Sequence, residues 1–314
     1  ILCLPRYETF LEDITNHLKS RYEVRTCYTY NDQEMVSSVE WADIVWLEFA
    51  NDISAYITNK IPAIKNKTVV CRIHSYEVLN GNLPSIDFTK INMLVFVDDH
   101  VRKIAFETYP IIKKENRTVV IQNGVNLSQF SYKERAPGFN IAVVGEISHK
   151  KNPSMWIEIL SRLVKIDPQY KLNIAGSIQE LRFKYYLENI IHKLGLERNI
   201  TFHGRVVDIP EWYEREGINY LLTTSVFESF GYSIAEAMAM GYKSLIHNFP
   251  NAYDNWPPNC VFSTTDELVT IIQNNDDYDS KGYYEFVKER YSLSQQLHSI
   301  DVMLTDLTRE CSYS

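Results

Sequence analysis

The chain has 314 residues, 45% of them hydrophobic, which is enough for two domains with cores of their own. A formal net charge of −8 argues against a nucleic-acid-binding surface. The five cysteines are scattered and form no C-x-x-C pair, which excludes a disulfide framework and favours reduced, buried thiols. No segment reaches the length of a transmembrane helix, and no signal-peptide pattern is present. These features predict a cytoplasmic protein, with attachment to the inner face of a membrane left open.

Apolar runs typical of strands alternate with amphipathic stretches typical of helices along the chain. Alternating strands and helices predict parallel sheets that are covered on both faces, and two such series predict two doubly wound α/β domains. The predicted strands of the first series are Ile1–Leu4, Glu23–Tyr28, Asp43–Phe49, Thr68–His74, Met93–Val97 and Val119–Gln122, with helices that include Glu8–Ser20 and Val101–Thr108. The strands of the second are Asn140–Val144, Lys171–Ala175, Ile200–His203, Ile218–Leu222, Ser244–Ile246 and Val261–Phe262, with helices that include Ser154–Lys165, Gln179–Leu194 and Ala235–Met240.

The segment Ala136-Pro137-Gly138 is the predicted linker, because Pro and Gly interrupt both helices and strands. The predicted domains are therefore residues 1–137 and residues 138–290. Residues 291–314 contain a final helix, about Ser294–Leu307, whose apolar residues recur at helical spacing and predict packing on a neighbour.

His74 ends an apolar strand of the first domain. In open parallel sheets, ligands bind beyond the carboxyl ends of the strands, where a histidine can bond a sugar hydroxyl or stabilise developing charge. The alternative is a strand-end histidine bonded to nearby backbone. Asp98 and Asp99 are adjacent on a strand and point to opposite faces, which argues against a shared ion, and no metal site is predicted.

The loop Gly145–Pro153 connects a predicted strand to a predicted helix and contains Lys150 and Lys151. A glycine turn with lysines at this position can hold a diphosphate. The alternative interpretation is a solvated polar loop in which the lysines occur by chance.

The stretch Thr223–Gly241 runs from a strand through a short polar turn into a helix, with Gly231 at the turn. A helix N-terminus offers backbone N–H groups and partial positive charge to a phosphate, and glycine lets a ligand come close. Glu228 and Glu236 flank the turn, and their carboxylates are suited to accept hydrogen bonds from hydroxyls. Together these groups suit a sugar–diphosphate–ribose ligand. The alternative is an ordinary strand–helix junction with two surface glutamates.

This stretch resembles the E-x7-E motif of the retaining glycosyltransferases of family 4. The resemblance implies the GT-B fold, with two doubly wound Rossmann-like domains facing a central cleft and a C-terminal helix that crosses back to the first domain. It also implies that Glu228 faces the donor sugar and that Glu236 binds the ribose. The backbone of Gly231, Tyr232 and Ser233 would meet the diphosphate.

Other segments match the family pattern or depart from it. Lys151 matches its phosphate-binding lysine, and His74 matches a histidine near the donor sugar, but Glu146 stands where the family has an arginine. The family places the nucleobase near the turn at Arg205, which is either a donor contact or part of a surface salt bridge. The family's glycine-rich loop after the first strand is absent, and Arg6 there is a candidate phosphate contact or acceptor-side residue.

The resemblance implies a retaining glycosyltransferase that uses a UDP- or GDP-linked sugar, without metal or other cofactor, in polysaccharide biosynthesis. Its partners would be the nucleotide-sugar and a saccharide or lipid-linked acceptor, with no nucleic acid, and the oligomeric state is not predicted. Two alternatives stay open: a non-catalytic GT-B protein that binds a glycan or partners an active subunit, and a sugar-nucleotide epimerase or phosphorylase. The predicted catalytic residues are His74, Glu228 and Lys151, and the predicted donor-binding residues are Gly145, Lys150, Arg205, Ser229, Phe230, Gly231, Tyr232, Ser233 and Glu236.

Overall fold

The computed structural model describes residues 1–8, 11–274 and 277–311. The chain divides into two compact units: unit 1 contains residues 1–124 together with the segment that starts at Leu293, and unit 2 contains Val125–Ser292. The predicted linker at Ala136–Gly138 lies inside unit 2. Arg135, just before this segment, is bonded to unit 2. Its backbone N–H donates to Ser280 Oγ at 2.9 Å, and its side-chain Nε donates to the Met240 carbonyl at 3.2 Å.

The strands and helices follow the predicted alternation, mostly within three residues of the predicted limits; in the predicted helix Glu8–Ser20, residues 9 and 10 lie outside the described residues. The strands are β1 (Ile44–Glu48), β2 (Thr68–Ile73), β3 (Met93–Phe96), β4 (Arg117–Val120), β5 (Asn140–Val144), β6 (Lys171–Ala175), β7 (Ile200–Gly204), β8 (Tyr220–Thr223), β9 (Lys243–His247) and β10 (Val261–Phe262). The α-helices are α1 (Glu12–Leu18), α2 (Asp32–Trp41), α3 (Asp52–Lys60), α4 (Ser75–Leu79), α5 (Asp99–Thr108), α6 (Pro110–Glu115), α7 (Pro153–Ile166), α8 (Leu181–Leu194), α9 (Ile209–Arg215), α10 (Tyr232–Ala239), α11 (Ala252–Asn255), α12 (Thr265–Gln273), α13 (Ser280–Tyr291) and α14 (Leu293–Cys311).

Unit 1 is built on a parallel sheet with the order β1-β2-β3-β4. The predicted strands Ile1–Leu4 and Glu23–Tyr28 are present only as single parallel bridges, from Leu2 to Leu47 of β1 and from Leu2 to Cys27. Helix α14 belongs to this unit, where its Ile300, Met303, Leu304 and Leu307 share a core with Trp46 and Val70. The C-terminal helix therefore covers the sheet of the first unit.

Unit 2 is built on a six-stranded parallel sheet with the order β10-β9-β8-β5-β6-β7. Both faces are covered, as alternate residues of β5 show. Ile141 and Val143 lie in one core cluster together with Trp156 of α7, whereas Ala142 lies in the opposite cluster together with Ile234 of α10. Unit 2 is thus doubly wound, both units contain parallel sheets, and the predicted α/β class is confirmed.

Local chemistry explains where several helices begin. Asp98 accepts from the His100 N–H at 2.7 Å and caps α5, and Thr264 with Glu267 forms a capping box at α12. Asp99 forms ion pairs with Arg102 and Lys103. Both of the adjacent aspartates that were considered as a metal pair therefore have structural roles. Among the described residues, no helix is both long enough and apolar enough to cross a membrane.

Candidate active site

The strand order of unit 2 marks one place where a ligand is expected. From β5 the chain moves outward through β6 and β7, then returns to the other side of β5 and moves outward through β8, β9 and β10. In open parallel sheets the crevice at such a reversal, beyond the carboxyl ends of the two central strands, is the usual ligand site. The loops that follow β5 and β8 border this crevice, and they contain most of the predicted donor-binding residues.

The loop after β5 is tightly constrained. Gly145 has φ of +129°, and a Cβ there would lie 3.3 Å from Lys151 Cε, so glycine leaves room for the lysine side chain. The Gly145 N–H donates to the Ala175 carbonyl at 3.0 Å, which holds the turn against β6. Asn152 has φ of +49° and precedes Pro153 at the first position of α7.

Two hydrogen bonds join this loop to the loop after β8. The Thr224 hydroxyl donates to the Lys151 carbonyl at 2.7 Å, and the Val226 N–H donates to the Lys150 carbonyl at 2.9 Å. These bonds fix the backbone of both lysines beside the loop that follows β8.

Glu228 is the centre of an ionic cluster between the two loops. Its Oε1 accepts from Lys151 Nζ at 2.7 Å and from Ser225 Oγ at 2.8 Å, and its Oε2 accepts from Lys150 Nζ at 2.8 Å. Burial alone would raise the pKa of Glu228, but the two ammonium groups outweigh it and lower the pKa to about 2. The cluster carries two positive charges and one negative charge, which leaves a surplus positive charge at the crevice.

Helix α10 begins at the same crevice. Gly231 is its N-cap, with φ of +83°, and no described side chain caps the helix. A Cβ at Gly231 would lie 2.8 Å from Cδ1 of Ile234, which is fully buried. Glycine is therefore required at this turn, and the N-terminal amides of the helix are not covered by a capping side chain.

Glu236 lies in the second turn of α10 and is partly buried. Burial raises its pKa to about 7, and its carboxylate accepts no hydrogen bond from any other described residue. A carboxyl group in such surroundings is well suited to bond a hydroxyl that a ligand brings.

Other predicted site residues of unit 2 lie in different surroundings. The Phe230 side chain is buried against Tyr232, Trp256 and Tyr291, so only its backbone is left for a ligand contact. Ser229 and Ser233 are half-buried beside Gly231. Arg205 follows β7, the edge strand two positions from β5, and it is exposed without an ion pair to any described residue. The alternative interpretation of Arg205, a surface salt bridge, is therefore not seen among the described residues.

Glu146, at the position where the family has an arginine, is exposed and forms no ion pair with either lysine among the described residues. Lys150 and Lys151 bond Glu228 instead. The charge reversal at Glu146 thus leaves the ionic cluster intact.

In unit 1, His74 belongs to a buried polar cluster that the sequence did not reveal. Its Nε2 lies 2.8 Å from Oε1 of Glu48, the last residue of β1. Arg72 of β2 donates to the same carboxylate oxygen at 3.1 Å and also to Oδ1 of Asn123. A charged residue within an apolar strand was the available signal, since Glu48 and Arg72 are the charged residues of IVWLE and TVVCRI.

The sequence of unit 2 is similar to that of a known family. The family model described as Glycosyl transferases group 1 matches residues 127–254, which include the cluster and the start of α10. The chain is 27% identical over 103 residues to the lipopolysaccharide core biosynthesis mannosyltransferase LpsB of Rhizobium meliloti (strain 1021), covering 32% of this chain and 29% of that protein. It is 26% identical over 136 residues to the GDP-mannose:cellobiosyl-diphosphopolyprenol alpha-mannosyltransferase of Xanthomonas campestris, covering 43% of this chain and 36% of that protein. These matches thus span about a third of each relative.

The crystal structure of Anabaena Alr3699/HepE in complex with UDP-glucose aligns with a TM-score of 0.73 and 16% identity, covering 97% of this chain and 98% of that one. A likeness of this extent shows the fold. The chain thus has the two-domain GT-B fold, and its residues 127–254 carry the sequence pattern of the group 1 glycosyl transferases.

Proposed function

We propose that the protein is a retaining glycosyltransferase that transfers a sugar from a nucleotide-sugar to a saccharide or lipid-linked acceptor. The observation that carries the proposal is that Lys150 and Lys151 both bond Glu228 beside the start of α10. These residues lie where the strand order of unit 2 reverses. A surplus positive charge next to helix amides suits a diphosphate leaving group, whose developing charge is the main electrostatic demand of the reaction.

The diphosphate, the sugar and the ribose of the proposed donor each have candidate contacts in unit 2. The diphosphate would lie between the lysines and the amides at Gly231, Tyr232 and Ser233. The sugar would lie beside Glu228, and the ribose hydroxyls would bond Glu236, whose carboxyl group has no described partner. This arrangement needs neither a metal nor another cofactor, because lysines and helix amides neutralise the diphosphate.

For a retaining transferase, the surroundings of Glu228 favour front-side attack over a double displacement. Both carboxylate oxygens are bonded to ammonium groups, and the pKa of about 2 reports a strongly stabilised anion. Such a carboxylate is a poor nucleophile, so a covalent glycosyl–enzyme intermediate is disfavoured. In the proposed reaction the leaving phosphate takes the proton of the acceptor hydroxyl, and Glu228 positions the sugar.

Names of the relatives guide the choice of donors to test. LpsB and the Xanthomonas enzyme are named as mannosyltransferases, the latter with GDP-mannose, and Alr3699/HepE was solved with UDP-glucose. GDP-mannose and UDP-glucose are therefore the first donors to test, and bacterial surface polysaccharide is the first acceptor class to test. Cytosolic nucleotide-sugars and the buried free thiols Cys3, Cys27, Cys71 and Cys260 favour a cytoplasmic location.

The test is calorimetric titration of GDP, UDP and their sugars into wild-type protein and the Lys151→Gln variant. Loss of a charge-assisted hydrogen bond costs about 1.5–3 kcal/mol, so we expect at least a tenfold rise in the Kd of the nucleoside diphosphate. The matched control is Lys165→Gln, which removes an exposed lysine near the far end of α7 and leaves the Kd unchanged. Circular dichroism verifies that both variants are folded.

Two results would contradict the proposal. The absence of binding by any nucleotide-sugar or nucleoside diphosphate would favour the non-catalytic alternative. Conversion of a UDP-sugar into its epimer without an acceptor would assign the same pocket to an epimerase. Formation of a new glycoside from a bound donor supports the transferase.

A further inference from the structure

Cations are concentrated in three segments of unit 1, each of which precedes a strand. The segments are residues 60–67 before β2, residues 87–92 before β3 and residues 110–117 before β4. They contain two acidic residues, Asp87 and Glu115, and seven basic residues: Lys60, Lys65, Lys67, Lys90, Lys113, Lys114 and Arg117. The three segments therefore carry a formal charge of +5, although the whole chain carries −8.

The parallel sheet brings these segments together. Strands β2, β3 and β4 are neighbours and run in the same direction, so the residues before them lie at the edge where the strands begin. Lys60, Lys65 and Lys90 line one open pocket at this edge. The Asn116 side chain donates to the Phe88 carbonyl at 2.9 Å and joins the third segment to the second. The seven cations thus form one surface, the basic edge of unit 1.

Four of these charges have no internal counter-ion. Their side chains are exposed and form no ion pair with any described residue: Lys60, Lys65, Lys113 and Lys114. Lys90 pairs with Asp87 at 3.5 Å, and Lys67 donates to the backbone carbonyl of Glu40 at 2.9 Å. Both Glu40 and Asp43 precede β1, so the positive surface is confined to the part of the edge at β2, β3 and β4.

An exposed apolar side chain accompanies the lysines. Ile111 of α6 is 53% exposed and lies in the same short helix as Lys113 and Lys114. The aromatic ring of the three segments, Phe88, is buried, so the bases of a nucleic acid have nothing to stack on there. Lysines beside an exposed aliphatic side chain fit a membrane surface, whose anionic headgroups attract cations and whose interface accepts apolar groups.

We propose that the basic edge of unit 1 binds an anionic membrane surface, with its lysines against phospholipid headgroups and Ile111 inserted at the interface. Glu48 and His74 lie at the opposite edge of the sheet, where β1 and β2 end, so membrane binding leaves that edge uncovered. Binding at the basic edge does not depend on the proposed nucleotide site, because Lys150 and Lys151 belong to unit 2.

The test is co-sedimentation with vesicles of phosphatidylcholine alone, or of equal parts phosphatidylcholine and phosphatidylglycerol. We expect wild-type protein to sediment only with the anionic vesicles and to be released by salt of about 0.5 M. Each lysine near an anionic surface contributes roughly a fivefold factor, so loss of four should lower the partition coefficient by about 100-fold or more. The variant is Lys60→Gln/Lys65→Gln/Lys113→Gln/Lys114→Gln.

The matched control removes four lysines of unit 2 whose side chains are also exposed and form no ion pair with any described residue, in Lys165→Gln/Lys171→Gln/Lys193→Gln/Lys281→Gln. Both variants have the same net charge, so they differ only in where the charge was removed. We expect the control to sediment with anionic vesicles to within about threefold of wild type, since charges more than a Debye length from the membrane are screened. Circular dichroism verifies that both variants are folded.

Ile111→Gln distinguishes a membrane from other polyanions, because it leaves the charge unchanged. It should weaken binding to anionic vesicles by about threefold or more and leave retention on heparin as in wild type. Wild-type protein that stays in solution with anionic vesicles would overturn the proposal, as would equal sedimentation of the two lysine variants. Binding of single-stranded RNA without sedimentation would assign the basic edge to nucleic acid instead.

Calorimetric titration with GDP and UDP keeps the two proposals separate. The variant of the basic edge should bind nucleotides with the wild-type Kd. Failure to bind vesicles refutes the membrane surface alone, whereas a protein that binds vesicles but no nucleotide refutes the proposed function alone.

Discussion

At the scale of single residues, Glu77 shows how much of the chemistry near His74 depends on burial. It is fully buried and accepts from the backbone N–H groups of Ala50 at 2.9 Å and of His74 at 3.2 Å. Burial raises its pKa to about 8, although these hydrogen bonds oppose the rise. The folded protein therefore holds a proton on Glu77 at pH 7 that the unfolded chain would release.

This raised pKa predicts a pH dependence of stability. Between pH 4.5 and 8 the folded state binds more protons at Glu77 than the unfolded state, so the free energy of unfolding falls as pH rises through this window. Glu77→Gln cannot ionise. We expect its stability relative to wild type to improve by about 2 kcal/mol between pH 6 and pH 8.5, measured by urea unfolding. The raised pKa of Glu236 affects both proteins equally. A difference that is constant with pH would show that Glu77 is already ionised.

At the scale of elements, the start of α10 depends on one glycine. Gly231 has φ of +83°, and its missing Cβ leaves space for Ile234. Gly195, the C-cap of α8, also has positive φ, at +65°, but a Cβ there would meet nothing within 4 Å. An alanine at Gly195 would therefore be strained only by its left-handed backbone, whereas an alanine at Gly231 would also collide with Ile234.

Comparison of Gly231→Ala with Gly195→Ala measures this difference. We expect Gly195→Ala to lose about 1–2 kcal/mol from its left-handed conformation alone. Gly231→Ala should lose about 1–3 kcal/mol more, because Ile234 must move within a packed core. It should also weaken binding of a nucleoside diphosphate by at least tenfold, which Gly195→Ala should not do. Equal stability losses and equal binding would show that the turn at Gly231 is not special.

The sequence allowed the elements to be predicted because local patterns define them. Runs such as IVWLE and TVVCRI are buried over most of their length, and they lie where parallel strands were expected. The predicted strand Ile1–Leu4 forms only single bridges at Leu2, and Pro5, which lacks an N–H, follows directly. The sequence pattern predicts that residues 125–137 belong to the first domain, but they lie in unit 2. Contacts such as that of Arg135 with Met240 join distant parts of the chain and leave no local sequence pattern.

At the scale of the whole molecule, the confirmed GT-B fold brings together loops that are distant in the chain. Lys151 and Glu228 meet because β5 and β8 are neighbours in the sheet, although they are 77 residues apart. Motif resemblance suggested both residues, but only the strand order brings them to one crevice. The Glu48–Arg72–His74 cluster had no such motif, so it could be found only from the folded chain.

This organisation predicts which ligands stabilise the protein. A nucleoside diphosphate at 100 times its Kd adds about 2.7 kcal/mol to the free energy of unfolding of the unit that binds it. For a unit of this size the melting temperature should rise by about 5 °C or more in a thermal-shift assay with GDP or UDP. GMP and UMP, which lack the second phosphate, should give smaller shifts at equal concentration. Equal shifts with mono- and diphosphates would argue against a diphosphate between the lysines.

The ionic cluster at Glu228 also has a consequence for turnover. Both lysines form ion pairs with this carboxylate, at 2.7 and 2.8 Å. If the protein binds a nucleoside diphosphate as proposed, the diphosphate would compete with Glu228 for the two lysines. On release of the nucleotide product, the lysines would pair with Glu228 again and would not have to be solvated by water alone. Such an arrangement would limit product inhibition, because the protein itself supplies the group that replaces the product.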